Sequence, residues 1–407
     1  MNKESLIPLQ NQSCSIYSLP FFLLCLSSFL FSCSFNMLIP ELPAYISSLG
    51  GAEYKGLIIA LFTLTAGISR PFSGKLTDTI GRVPIMLIGS IVCFVCGFLY
   101  PILSTVSGFL FLRLIHGFST GFKPTATAAY IADIVPVKRW GEALGIHGLC
   151  FSTGMAIGPA IGSAITSGHS INILFYCSSL FALLSIVIII NIKETLPKKK
   201  RFKFSLLRIS RKEIIEFRVL PAALITLMAY ISYGAILTVI PDWSQHLGIK
   251  NKGTFFMVFT ISSLFVRFLS GKFSDKYGRV LVLKVSLSLL ILSLILLGTA
   301  NSILSLIIAS IVYGFASGII SPAVSAWTID LSHPDFRGKA VATMYIALEM
   351  GIGFGALIAG WMFKDVIKII PLIFFLSAMV ASWGLVYLIF YDLRKNQVIK
   401  IIDNLKC

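Results

Sequence analysis

The chain has 407 residues, of which 56% are hydrophobic and 13% are charged, and its mean hydropathy is +0.89. A soluble domain contains about 25% charged residues, so this composition excludes an ordinary water-soluble protein and indicates an integral membrane protein. The formal net charge of +17 would suggest nucleic acid in a soluble protein, but here the basic residues stand between apolar segments, and no nucleic-acid partner is expected.

Twelve apolar segments are long enough to cross a membrane as helices, which takes about 20 residues each. They fall into two sets of six, separated by a basic stretch. The predicted spans are 19–40, 54–74, 83–103, 107–132, 141–165 and 171–192, followed by 218–240, 253–272, 280–300, 304–329, 339–363 and 368–391. We therefore expect an all-α membrane protein of twelve transmembrane helices, with a six-helix bundle over 1–192, a cytosolic linker over 193–217 and a second six-helix bundle with a short cytosolic tail over 218–407.

Lysine and arginine residues are concentrated on one side of the predicted helices. The other side holds Lys55, Lys250, Lys252, Lys364 and Lys368, and the spans themselves contain Arg113 and Lys123. Because basic loops stay in the cytoplasm, this asymmetry predicts that both termini are cytoplasmic. The short loops and the lack of a targeting extension indicate a bacterial inner membrane, where we expect the chain to function as a monomer.

A thirteen-residue phrase occurs twice, at an offset of 197 residues. Residues 70–82 read RPFSGKLTDTIGR and residues 267–279 read RFLSGKFSDKYGR, so seven positions are identical. The same offset relates Gly56 to Gly253, Gly117 to Gly314, Gly121 to Gly318 and Asp133 to Asp330. A long internal repeat in a membrane chain predicts two pseudo-symmetric halves that form a carrier.

The core of this phrase resembles the loop after the second span in the major facilitator superfamily, Gly-x-x-x-Asp-x-x-Gly-Arg. It stands here as Gly74, Asp78, Gly81 and Arg82, and again as Gly271, Asp275, Gly278 and Arg279. The resemblance implies a twelve-span carrier similar to the drug:proton antiporters.

The charges in the phrase predict a conformational latch, meaning ion pairs that form in one carrier state and break in the other. Arg82 is expected to pair with Asp133, and Arg279 with Asp330. Asp78 is expected to contact a helix N-terminus across the interface between the halves. The alternative is a solvated polar turn that only sets the topology.

The fourth predicted span contains a second phrase of the family, with Arg113, His116, Gly117 and Gly121. An arginine inside a membrane is costly and is functional by default. Arg113 and Gly117 are one helical turn apart, so we expect the arginine to face the packed side. The resemblance implies a role in proton coupling; the alternative is a side chain that reaches toward the membrane surface.

The fifth predicted span resembles the antiporter motif of the family, with its residues at Gly154, Gly158, Pro159 and Gly162. Glycines at this spacing permit close helix contact, and the proline adds a bend. The resemblance implies export in exchange for protons, whereas the alternative is helix packing alone.

Acidic residues inside the spans are candidates for proton exchange. Many drug exporters have an acid in the first span where this chain has Asn36, which cannot titrate. Glu349 lies about ten residues into the eleventh predicted span, roughly 15 Å deep, and is the stronger candidate. Glu41, near the outer end of the first span, is a proton site or merely a charge at a helix end.

Three polar residues of the fourth span, His116, Lys123 and Tyr130, are spaced by seven and share one helix face. If that face lines the cavity, an anionic or zwitterionic substrate suits it better than a cationic drug. Alternatively, Lys123 reaches water at the inner surface. Tyr233 and Trp327 are further candidates for the pocket wall.

The sequence predicts a proton-coupled exporter of a small organic molecule that works by alternating access. The nearest alternative is a proton symporter for uptake, and an intramembrane enzyme is a remote one, because the histidines form no metal or catalytic motif. Neither an enzyme nor a metal site is expected. No cofactor is expected either, since the proton gradient supplies the energy.

Overall fold

The computed structural model describes residues 18–136, 139–197, 199, 201–207, 215–333 and 337–404. Its helices, in chain order, are α1 (Leu19–Asn36), α2 (Leu42–Ser48), α3 (Lys55–Thr79), α4 (Arg82–Leu99), α5 (Val106–Ile134), α6 (Trp140–Gly168), α7 (Ile171–Ile190), α8 (Leu220–His246), α9 (Thr254–Tyr277), α10 (Arg279–Gly298), α11 (Ile303–Leu331), α12 (Arg337–Phe363) and α13 (Ile370–Asn404). All except α2 have 18 residues or more, which confirms the predicted set of twelve long helices.

Ten of the described helices are long and apolar enough to cross a membrane, by length and composition. The other two long helices are α5 and α9. In α5, Arg113, His116 and Lys123 are buried inside the protein, so their polar atoms do not face lipid.

The two sets of six helices pack in the same pattern. In the first half, α3 packs on α5, α4 on α5 and α7, and α1 on α6 and α7. In the second half, the corresponding contacts are α9 on α11, α10 on α11 and α13, and α8 on α12 and α13. The halves meet where α3 packs on α12 and where α6 packs on α9. This arrangement confirms the predicted pseudo-symmetry.

Glycines bring helices of the first half into backbone contact. A Cβ at Gly117 or Gly121 in α5 would overlap backbone or hydroxyl atoms of α3. A Cβ at Gly154 in α6 would overlap α1, one at Gly158 would crowd it, and one at Gly162 would overlap the backbone of Met37 just after α1. Small residues are what membrane helices need for such contact, so these positions do pack helices.

Two boundaries differ from the prediction. The first span is broken, since α1 ends at Asn36 and residues 37–41 form a turn around Pro40, whose ring lacks the N–H that a continuing helix requires. The helices α3 and α9 continue through most of the repeated phrase, so each predicted loop shrinks to a turn of one or two residues.

The linker contains a short 3₁₀ turn, Phe204–Leu207, and a second one, Phe217–Val219, begins at its last residue. Its residues 198, 200 and 208–214 lie outside the described part of the chain. We call the end of the bundle with the Gly81 and Gly278 turns the basic end. The end where α3 and α9 begin is the opposite end.

Candidate functional site

Two ion pairs join the halves at the opposite end. Lys55 Nζ, at the start of α3, lies 3.2 Å from Asp242 Oδ1 in α8 and also contacts Asp365. Lys252 Nζ, just before α9, lies 3.2 Å from Glu41 Oε2. The two lysines are related by the 197-residue offset, and both Asp242 and Glu41 directly follow a proline. Each half therefore contributes the lysine of one ion pair and the acid of the other.

Glu41 is nearly buried in this contact rather than exposed in a vestibule. Ser163 Oγ in α6 donates a hydrogen bond of 2.6 Å to its Oε1. The same hydroxyl accepts the backbone N–H of Gly253 at 3.2 Å, across the interface. Glu41 thus belongs to the closure of the opposite end.

Glycines next to these lysines let the helices of the two halves touch. A Cβ at Gly56 would overlap the carbonyl of Ala356 in α12, and a Cβ at Gly253 would overlap the carbonyl of Pro159 in α6. Gly253 is the repeat of Gly56, and Ala356 is the repeat of Pro159, each at the 197-residue offset. The opposite end is therefore closed by a duplicated backbone contact as well as by charge.

A further ion pair joins the halves about halfway along α12. Arg70 Nη2 donates to Glu349 Oε1 at 2.7 Å, and the two side chains are 15% and 9% exposed. The guanidinium also lies over the ring of Tyr345, 4.5 Å from its centre. The buried Nε of Arg70 has no hydrogen-bond partner among the described residues, so a single N–H holds the carboxylate.

The matching contact on the other side of the molecule is neutral. Arg267, the repeat of Arg70, donates from Nη1 to Ser152 Oγ in α6 at 3.2 Å. Ser152 stands at the position that corresponds to Glu349 at the 197-residue offset. The repeat therefore keeps both arginines and changes the group across the interface.

The first copy of the repeated phrase forms the expected ion pair. Arg82 Nε lies 3.0 Å from Asp133 Oδ2, and Arg82 Nη1 lies 3.3 Å from Asp78 Oδ1. Gly81 has φ +137° and faces the Glu194 carboxylate so closely that a Cβ would overlap it. Glu194 accepts hydrogen bonds from the first two backbone N–H groups of α4, which caps this helix.

The second copy repeats this geometry. Arg279 Nε lies 3.0 Å from Asp330 Oδ2 and also pairs with Asp275. Gly278 has φ +87°, which only glycine adopts readily. Gly74 lies inside α3 with open space around it, so it makes no close helix contact in this conformation. Gly271 lies within α9, and its surroundings are outside the described residues.

Asp78, which was expected to reach across the interface, and its repeat Asp275 are both exposed at the basic end. Asp78 and Asp275 are 72% and 70% exposed, and each pairs with the arginine four residues later in its own half. The predicted contact of Asp78 with a helix of the other half is therefore absent from this conformation, within the part of the chain that the structure describes.

Arg113 is buried and faces the packed side, as its spacing from Gly117 predicts. Its Nε donates to the backbone carbonyl of Ile58 in α3 at 3.0 Å, and its guanidinium lies 4.5 Å from the ring centre of Phe62. Its Nη1 also contacts the hydroxyl of Tyr100 at 3.4 Å. Arg113 therefore fastens α5 to α3 within the first half.

His116 and Lys123 are buried within the first half, so the condition that their face lines the cavity is not met, and Lys123 does not reach water at the inner surface either. Lys123 Nζ donates to the carbonyl and hydroxyl oxygens of Ser27 at 3.0 Å, contacts the Ser185 hydroxyl, and lies 4.4 Å from the ring centre of Phe31. These partners belong to α1 and α7, because this face of α5 points into its own half. Lys123 gives no support for an anionic substrate.

The other members of that face are also bound within the first half. His116 Nδ1 lies 3.0 Å from the hydroxyl of Tyr100, and its Nε2 lies 3.2 Å from Cys93 Sγ. Tyr130 donates its hydroxyl to the carbonyl of Lys193 at 2.7 Å. The spacing of seven identified a shared face correctly but could not show which neighbours it meets.

The family model described as Major Facilitator Superfamily matches residues 24–222 and again residues 222–401. Multidrug resistance protein 1 of Bacillus subtilis (strain 168) is 25% identical over 334 residues, which cover 81% of this chain and 85% of that protein. Quinolone resistance protein NorA of Staphylococcus aureus (strain MSSA476) is 26% identical over 357 residues, covering 84% and 89%.

Solved structures share the fold. The human organic anion transporter MFSD10 superimposes with a TM-score of 0.69 at 18% identity, covering 90% of this chain and 98% of that one. A D-xylose-proton symporter superimposes with a TM-score of 0.73 at 15% identity, covering 90% and 96%. Both full-length matches agree with the twelve-helix, two-half architecture.

Proposed function

Because the chain belongs to the Major Facilitator Superfamily and is a membrane transporter, we propose that it exports a small organic molecule in exchange for protons. The observation that carries this proposal is the Arg70–Glu349 ion pair, which joins the halves at 2.7 Å with a carboxyl that is 9% exposed. A carboxyl buried at membrane depth is costly and marks proton pathways in transporters.

In this proposal, protonation of Glu349 unlocks the carrier. A proton removes the negative charge that holds Arg70, and the α3–α12 contact weakens. The empty, protonated carrier can then rock in either direction, so that a proton taken up outside is released inside, whereas the ionised carrier crosses only when it holds cargo. Because breaking a buried ion pair is strongly unfavourable unless its charge is removed, the empty carrier with an ionised Glu349 stays closed at the opposite end.

Export as the direction is supported by two observations. The relatives are named for multidrug and quinolone resistance, which exporters confer. The α6 phrase at Gly154, Gly158, Pro159 and Gly162 resembles the antiporter motif, although its glycines pack on α1. Arg113 contributes in this proposal by holding α3, which contains both Lys55 and Arg70.

We place the basic end in the cytoplasm of a bacterium, with both termini there, since basic residues predominate at that end. The conformation described is then the one closed to the outside. The turns at Gly81 and Gly278 act as the latch: when the basic end closes, the exposed Asp78 and Asp275 become available to contact the other half. The working unit in this proposal is a monomer.

The test is the direction of flux in proteoliposomes that contain the purified protein. A fluorescent quinolone serves as probe, and a pH gradient is imposed in either direction. Antiport predicts that the quinolone accumulates in the compartment that starts acidic, as protons leave it. Accumulation in the compartment that protons enter would identify a symporter, and gradient-independent movement would remove proton coupling altogether.

A further inference from the structure

A groove with an empty volume of about 1450 Å³ runs between α3 and α12. Along α3 it extends from Leu57 to Phe72, which is about 22 Å of helix. One leaflet of the hydrocarbon core is about 15 Å thick, so the groove is longer than one leaflet is deep. A hydrocarbon chain that enters from the basic end, where Phe72 lies, therefore fits along it.

The surface of this groove is almost entirely apolar. Its rims are exposed hydrophobic side chains from both helices, namely Leu64, Ile68, Met350 and Phe354. Gly67 and Gly353 also line it, and neither has a side chain that could fill the space. Among the described residues that line the groove, Glu349 is the one charged residue, and its carboxylate is already bonded to Arg70. A ligand in this groove must therefore be apolar where the two helices enclose it.

The linker lies at the end of the groove that is nearer the basic end. Leu207, which lines the groove, is the last residue of the 3₁₀ turn Phe204–Leu207, and this turn packs on α3. Leu206 and Leu207 also pack against the apolar core of the first half, which fixes the turn beside the groove. Arg201 and Lys203, just before the turn, are exposed. A 3₁₀ helix rises about 2 Å per residue, so Lys203 is about 8 Å from Leu207 along the backbone.

An apolar groove with basic side chains at one end matches an amphiphile that has a hydrocarbon chain and a negatively charged headgroup. We propose that this groove binds a membrane phospholipid with an anionic headgroup. Its acyl chain lies between α3 and α12, and its headgroup contacts Arg201 and Lys203. The bound chain covers Glu349 from the side of the groove, which places a lipid directly against the ion pair that joins the two halves.

Native mass spectrometry of the purified protein in detergent, titrated with dioleoylphosphatidylglycerol or dioleoylphosphatidylcholine, tests the headgroup contact. The two lipids have the same chains, and only the first has a net negative charge. Two basic residues near a lipid headgroup support a preference of about tenfold or more for the phosphatidylglycerol. The double variant Arg201→Gln with Lys203→Gln should lose this preference. Lys276→Gln with Arg394→Gln removes two exposed charges from the second half and should retain it.

A second pair of variants tests the position of the acyl chain. Leu64→Trp with Ile68→Trp narrows the groove from α3 and should weaken binding of both lipids. Leu180→Trp with Leu184→Trp makes the same change, at the same spacing, on exposed residues of α7 and should bind both lipids as the wild type does.

Three results would overturn the proposal. Equal retention of the two lipids by the wild type would mean that a neutral lipid or detergent fills the groove. A preference that survives the loss of Arg201 and Lys203 would place the headgroup elsewhere, and unchanged binding in the narrowed groove would place the chain elsewhere. These readouts involve no transport, so they test the lipid site separately from the proposed antiport.

Discussion

The two interfaces between the halves, α3 against α12 and α9 against α6, match by position and differ in chemistry near the middle of the bundle. At the opposite end, both contain a lysine paired with an acid, Lys55 with Asp242 and Lys252 with Glu41. Near the middle, one interface has an arginine and a glutamate, whereas the other has an arginine and Ser152.

This difference separates the contacts that close the opposite end, which are duplicated, from the carboxyl proposed to exchange a proton, which is present in one interface. Closure of one end must be borne by both interfaces, so the lysine bridges and the glycine contacts are duplicated. A single exchangeable proton needs only one carboxyl. The chain has Glu349 beside Arg70 and Ser152 at the matching position beside Arg267, which assigns proton exchange to one interface in our proposal.

The largest effect is expected from Glu349→Gln, which leaves Arg70 beside a permanently neutral side chain. Gradient-driven accumulation of the probe in proteoliposomes should fall to the level of protein-free liposomes, while exchange of labelled for unlabelled probe continues. Glu53→Gln, the same change at an exposed glutamate of the opposite end, is the control. Accumulation that persists in Glu349→Gln would make the two interfaces equivalent after all.

A smaller effect is expected from loss of one lysine bridge. Lys55 is 3% exposed and contacts two acids, whereas Lys252 is 16% exposed and contacts Glu41. Removing one partner of a buried pair costs up to about 3–5 kcal/mol, so Lys55→Gln should destabilise the closed opposite end more than Lys252→Gln. Cysteine labelling at Tyr54→Cys, measured in each variant, reports the opening; a larger effect of Lys252→Gln would contradict this ranking.

Adding a methyl group at the duplicated glycine contact should also oppose closure. Gly56→Ala and Gly253→Ala each place a Cβ against a carbonyl of the other half, and overpacking typically costs about 1–3 kcal/mol. Both should increase labelling at Tyr54→Cys to a similar extent. Gly148→Ala in α6, where nothing lies within 4 Å, is the matched control and should behave as the wild type.

The smallest effect is expected from the ion pairs at the basic end. Asp133, the partner of Arg82, is 30% exposed, and Asp330, the partner of Arg279, is 52% exposed. Exposed pairs are worth about 0–1 kcal/mol, so neither arginine should matter much to thermal unfolding in detergent. Arg82→Gln should lower the unfolding temperature slightly more than Arg279→Gln. The reverse order would show that burial of the acid does not determine how much each ion pair stabilises the protein.

Most of the fold could be predicted because its signals are local. Hydrophobic length predicts the helices, and the repeated phrase predicts two like halves. The partners of Arg82 and Arg279 could also be predicted, because Asp133 and Asp330 stand at the ends of predicted spans and are related by the 197-residue offset. The break at Pro40 was missed because a proline can bend a span or end it, and Pro241 remains inside α8.

The site was predicted less completely because it depends on which helix faces meet. Glu349 was identified from its depth, but its partner Arg70 was not, although it begins the repeated phrase. The pairing of Lys252 with Glu41 joins residues 211 apart and has no local signal. Lys123 was misplaced because periodicity shows that residues share a face and does not show whether that face meets a cavity or another helix.

The central claim is that a proton on Glu349 releases the α3–α12 interface and lets the opposite end open. Spin labels at Tyr54→Cys and Trp361→Cys, which line one depression between α3 and α12 at that end, report the separation by double electron–electron resonance. The account predicts that acidification lengthens this distance in the otherwise native protein, and that Glu349→Gln has the long distance at every pH. A distance that ignores pH, or one that responds to it equally in Glu349→Gln, would contradict the account.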